Sequence, residues 1–167
     1  MNAERMYVIS EGILKGQPIV MSSLPEDFPV YLAGPMTGCP HFNQAAFDSA
    51  GDMMAVDWGM VVFNPANNSG FRKLAAVIPD GDERKAIEQF GFNRRLAISN
   101  GLQWICSRAQ GIAMLPGWQQ STGAVAEYSA AIACGLIVFV LQEIPRPRHA
   151  SDEPRSARKQ FPFYGRQ

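Results

Sequence analysis

A chain of 167 residues, 47% hydrophobic and 18% charged, has apolar mass for one sizeable core and too little length for two ordinary domains. Fifteen basic residues balance fifteen acidic ones, so no net field draws the protein to nucleic acid or an anionic membrane as its main partner, and a small molecule is the expected ligand. No apolar run is long enough to span a bilayer, and the N-terminal MNAERMYVIS lacks the apolar stretch of a secretion signal, so a cytoplasmic protein is expected.

Residues 1–28 form an extension in which MYVIS and PIVM flank a GILKGQP turn, the pattern of a small hairpin. The middle of the chain, residues 29–142, carries four continuous apolar runs: PVYLAGP (Pro29 to Pro35), GMVVFNPA (Gly59 to Ala66), GIAMLPG (Gly111 to Gly117) and GLIVFVLQ (Gly135 to Gln142). Continuous rather than alternating runs fit strands buried on both faces. Between them lie the helix-length segments FNQAAFDSAGDMMAVDW, DERKAIEQFGFNRRLAISNGLQWICSRA and TGAVAEYSAAIAC. Strand and helix alternating in this way predict an α/β fold: an open, mostly parallel sheet of four to five strands with helices on both faces, Rossmann-like and of flavodoxin-type order. Residues 143–167 form a basic arm, in which Pro145 to Gln167 carry a net charge of +4, leaving −4 on the rest of the chain. Its prolines, among them Pro145, Pro147, Pro154 and Pro162, exclude a regular helix or central strand. Cys39, Cys106 and Cys134 are odd in number, far apart and without paired spacing, so neither disulfides nor a metal site is expected and reduced thiols within a core are.

In an open parallel sheet the ligand sits beyond the carboxyl ends of the strands. The first strand runs into AGPMTG, in which Gly34 and Gly38 permit close backbone approach and Thr37 adds a hydroxyl; such a turn either binds phosphate through its N–H groups or is turn chemistry alone. Tyr31 lies within that strand, as core or as a site residue. Asn64, ahead of Pro65, either shapes a turn or reaches outward. The third strand leads into LPGWQQSTGAVAE, where Ser121 or Thr122 can cap the next helix and leave its N–H groups facing an anion. Trp118 either stacks a flat ligand or folds back on the sheet. Glu127, amid small apolar residues, either faces solvent or is held in a pocket with an altered pKa, fit to act as nucleophile or acid.

Taken together, VYLAGPMTG, FNQAAF, VVFNPA and RAQGIAMLPGWQQSTGAVAEYSAAIACGL resemble the phage and bacterial DUF4406 family, relatives of the nucleoside 2-deoxyribosyltransferases and nucleotide N-glycosidases. The resemblance covers roughly Pro29 to Gln142. It implies cleavage or transfer at the N-glycosidic bond of a (deoxy)nucleoside or its 5'-monophosphate, with Glu127 attacking the anomeric carbon and Tyr31 orienting it. It further implies that Ser121 and Gly123, with Gly117, Trp118, Asn64, Asn100 and the turn Gly34, Pro35, Met36, Thr37 and Gly38, bind substrate. No cofactor is needed, and a homo-oligomer, dimer or higher, is expected, in a host's cytoplasm if the gene is a phage's. One element departs from the family pattern. The aspartate that precedes L-x-W-[IL] and serves as acid to the leaving base is replaced by Gly101 in GLQWI; Asn100 beside it cannot donate a proton near neutral pH. Asp80 and Asp82 are candidate substitutes, and an aspartate put back at 101 would restore the acid. The alternative is a catalytically impaired protein of the same fold that binds or sequesters a nucleotide.

Overall fold

The computed structural model describes residues 24–144. The predicted N-terminal hairpin and the basic arm from Pro145 onward lie outside those residues. Four strands, β1 (Pro29–Ala33), β2 (Val61–Phe63), β3 (Gly111–Met114) and β4 (Ile137–Val140), form one parallel sheet in the order β2-β1-β3-β4. Each is the core of one of the four apolar runs, and the order is that of the flavodoxin-type expectation. The chain winds from β1 toward one edge and from β3 toward the other, which leaves a crevice beyond the ends of β1 and β3.

The runs are continuous because both faces of every strand are covered. In β1, Val30 and Leu32 join a core with Phe47, Ala50 and Met54 of the first helical segment. Tyr31 and Ala33, pointing the other way as the pleat requires, join a second core with Ile105, Ala109, Ala124 and Ala131. The helices are α1 (Gln44–Asp52), α2 (Ser69–Val77), α3 (Glu83–Phe90), α4 (Arg94–Ser107) and α5 (Thr122–Ala133). A π-helical turn, Met53–Asp57, prolongs α1.

The departures from the sequence expectation have clear causes. The long segment from Asp82 is two helices, because Gly91 takes a left-handed conformation (φ 67°) that closes α3, and Asn93 then caps α4 by accepting from the N–H of Leu96. Helix α2 has no counterpart among the predicted segments. Its start is marked by Asn68, which accepts from the N–H of Gly70, and its Leu74 and Ala75 pack with Phe42, Ile78 and Ala86 in a third, smaller core. The first helix also begins later than FNQAAF suggests, since His41, Phe42 and Asn43 are all left-handed, with φ of 49°, 52° and 60°. Asn43 donates from Nδ2 to the carbonyl of Pro35 at 2.9 Å, which ties this turn back to the loop after β1.

Candidate active site

The second core contains a carboxylate. Glu127 follows the buried Ala124 by three residues and precedes the buried Ala131 by four, so the three share one face of α5 and Glu127 points at the sheet. There the hydroxyl of Tyr31, on β1, donates to Oε1 of Glu127 at 2.6 Å. Burial pushes the Glu127 carboxyl up to about 7, and the Tyr31 hydrogen bond pulls it partly back. Burial, reinforced by the charge of Glu127, holds the phenol well above its usual range. Tyr31 therefore stays a donor while Glu127 titrates near neutrality. Of the two orientations open for Glu127, the structure has the buried one, with the carboxyl turned to the sheet and not to solvent.

The ring that presents this hydroxyl is fixed from two sides. Phe63 of β2 stacks on it at 5.1 Å, and Trp104 of α4 lies 6.1 Å away. One turn before Trp104, Gly101 brings the bare α4 backbone onto the pair: a Cβ built there would lie 2.5 Å from the Tyr31 hydroxyl and 3.1 Å from Oε1 of Glu127. Gly101, which stands where the family pattern has an aspartate, thus lies against the Tyr31–Glu127 pair. The expectation that an aspartate at 101 restores an acid is corrected by the same distances, because no side chain fits while Tyr31 and Glu127 stay bonded. Asn100 stands exposed on α4.

Ser121 caps α5, its Oγ accepting from the N–H of Ala124 at 3.3 Å. Thr122, the first residue of α5, accepts from Nη2 of Arg94 at 2.9 Å, and Arg94 also pairs with Glu83 at 3.1 Å. Sequence reasoning missed Arg94, which stands 28 positions from Thr122, so that only the packing of α4 on α5 reveals it. A half-exposed guanidinium thus stands beside the α5 N-terminus, on the element that carries Glu127. Gly123 is open: a Cβ added there would meet only Oγ of Ser121, 4.0 Å away.

The remaining predicted residues divide by use. Gly34 lets the ends of β1 and β3 close together, since a Cβ there would lie 2.7 Å from that of Leu115. Met36 packs against the first and third cores, whereas Thr37 and Gly38 are exposed. Gly117 is left-handed (φ 81°) and faces Pro35, so the loops after β1 and β3 meet across the crevice. Trp118 folds back, its ring 4.6 Å from that of Tyr128, and its buried indole N–H finds no acceptor among the described residues. Asn64 is buried and committed to structure: it accepts from the N–H of Ala66 at 2.9 Å and donates to the carbonyl of Phe47 at 3.2 Å. Asp82 caps α3, and Asp80, ion-paired with Lys85, is held below the usual carboxylate range chiefly by that hydrogen bond. Asp80 is therefore held as a carboxylate, and Asp82 is used as a cap. Among the described residues no three His, Cys, Asp or Glu side chains gather as a metal site requires, and no helix is long and apolar enough to cross a membrane.

A flavodoxin-type parallel sheet with a buried, phenol-bound carboxylate packed against it defines an α/β protein with one glutamate as its candidate site. The chain belongs to a family described as a domain of unknown function, DUF4406, whose model matches residues 28–140. No curated protein and no solved structure matches it.

Two outcomes are expected from this geometry. Gly101→Ala and Gly101→Asp should each lower stability by about 1–3 kcal/mol, as overpacked sites do, and separate the Tyr31 hydroxyl from Glu127; urea unfolding followed by tryptophan fluorescence measures the first. The second concerns pH. Because the folded-state value of Glu127, about 7, lies above its ordinary 4.5, the folded chain holds that proton more tightly. The contribution is favourable below the lower value and is lost as pH rises toward the upper one, by about 3 kcal/mol in all. Glu127→Gln should therefore raise the melting temperature at pH 8 and change it little at pH 4.5, which calorimetry at the two pH values checks.

Proposed function

We propose that this protein cleaves or transfers the N-glycosidic bond of a (deoxy)nucleoside or its 5'-monophosphate, with Glu127 as the nucleophile. The hydrogen bond from Tyr31 to Glu127 carries the reading: a carboxylate drawn out of water and held by a phenol, in a sheet of the kind that binds ligands beyond the carboxyl ends of its strands. An N-glycosidic bond breaks through an oxocarbenium-like state, which such a carboxylate stabilises or traps as a glycosyl ester. The resemblance to nucleoside 2-deoxyribosyltransferases gives Tyr31 and Glu127 these roles. The capped N-terminus of α5, one and a half turns before Glu127, supplies N–H groups and a favourable dipole for a 5'-phosphate. Arg94 adds a cation at the same end. Ser121, whose Oγ accepts from the helix, retains a hydroxyl proton to give to a phosphate oxygen. Pairing of the chain into a homo-oligomer belongs to the same reading.

The chemistry runs in two steps. Ionised Glu127 attacks the anomeric carbon as the bond to the base breaks, and water or a second base then attacks the glycosyl ester and releases the carboxylate. Tyr31 keeps one carboxylate oxygen occupied, leaving the other to react. A second reading, a nucleotide-binding or sequestering protein, draws support from Gly101, because α4 offers no acid to the departing base.

Liquid chromatography of nucleosides and monophosphates incubated with the protein decides between them. Free base should appear with the wild type and not with Glu127→Ala; equal activity of the two would remove Glu127 as nucleophile, and no release from any substrate, with binding retained, would favour the second reading. Base release should rise with pH through about 7 as Glu127 ionises. In Tyr31→Phe, which removes the bond that lowers the Glu127 value, that limb should move to higher pH and the maximum should fall. Ser121→Ala should weaken monophosphate binding roughly ten- to a hundredfold, the worth of a charge-assisted hydrogen bond of about 1.5–3 kcal/mol, and leave nucleoside binding nearly unchanged in calorimetric titration.

A further inference from the structure

The expectation of reduced thiols buried in a core is overturned for two of the three cysteines: Cys106 and Cys134 are exposed, and Cys39 is partly so. The fold also brings those two together. Strands β3 and β4 are parallel neighbours, so the helices that precede them, α4 and α5, run side by side in the same direction and end at the same edge of the sheet. Cys106 lies in the last turn of α4, and Cys134 ends α5. The Cys106 thiol neighbours that of Cys134 and, more than burial, holds it above its usual range.

We propose that Cys106 and Cys134 are a redox-active dithiol, which a hydroperoxide oxidises to an intramolecular disulfide joining the ends of α4 and α5. The thiolate of one cysteine attacks the peroxide, the O–O bond breaks, and that cysteine becomes a sulfenic acid while the peroxide leaves as water or an alcohol. The sulfur of the other, giving up its proton, then attacks the sulfenic sulfur and displaces hydroxide, which takes the proton and leaves as water. Two thiols lose two protons and two electrons, and the peroxide is reduced by the same two electrons. Exposure gives the oxidant access, and the neighbouring thiol intercepts the sulfenic acid before further oxidation.

The crosslink would fall on the two helices that frame Glu127. Gly101 is five residues before Cys106 and Glu127 seven before Cys134, about 10 Å along α5 from the carboxylate. The disulfide fixes the spacing of α4 and α5 from their far ends without touching the crevice. The assignment does not depend on the glycosyl reading.

The test uses the full chain, first reduced, then treated with hydrogen peroxide, alkylated and mapped by mass spectrometry under non-reducing conditions. The expected product is a peptide pair linked through Cys106 and Cys134 in a chain that remains uncrosslinked to others, with Cys39 still alkylated. The melting temperature should rise by several degrees, as closure of a loop of this size predicts, and dithiothreitol should reverse it. Cys106→Ser and Cys134→Ser, both at exposed positions, should each abolish the link and the rise. Sulfinic acid at one of the two with the other still alkylated, or links only between chains, would overturn the proposal.

Discussion

The hydrogen bond between Tyr31 and Glu127 is the contact around which the other half of the molecule is arranged. It joins the sheet to α5 across a core that is otherwise aliphatic and aromatic. A carboxylate in such surroundings is tolerated only when held, and the hold depends on the phenol keeping one direction. Phe63 and Trp104 supply that by packing the ring, and Gly101 supplies it by leaving the hydroxyl room. Four elements, β1, β2, α4 and α5, thus converge on one proton.

The same contact sets strength against use. Drawing Glu127 out of water weakens the fold near neutral pH, and the Tyr31 bond returns only part of that. A charged group held at a cost in stability marks a candidate site rather than a packing position. The opening side of the crevice is built differently, from backbone: Gly34 and Gly117 bring the loops after β1 and β3 together, and the α5 N-terminus faces them.

Much of the fold was legible because its physics is local. Continuous apolar runs marked all four strands, and the alternation of strand and helix gave their parallel order. Ser121 was readable as a cap because capping needs only the residue and its next three neighbours. What the sequence left open were questions of direction. Glu127 and Trp118 each had two plausible orientations, and tertiary packing chose the pocket for one and the sheet for the other. Asn64 proved to be spent on its own turn and on Phe47. Helix α2 was missed because its SGFRKLAAV segment opens with Ser-Gly and follows the turn-rich NPANN. Arg94 and the cysteine pair were invisible for a different reason: each depends on two helices lying side by side, which spacing along the chain does not encode.

The contact at Gly101 also constrains how this lineage can change. With the backbone of α4 resting on the Tyr31 hydroxyl, an acid at position 101 and a phenol in its present place exclude one another. Positions 31 and 101 therefore form a coupled pair in mutational space: substitution at 101 is penalised until 31 gives up its hydroxyl or α4 shifts outward. Single steps between the two arrangements pass through a strained or an unbonded intermediate. Sequences related to this one should accordingly sort into two groups, small at 101 with tyrosine at 31, or acidic at 101 with α4 set farther from the sheet, and seldom lie between.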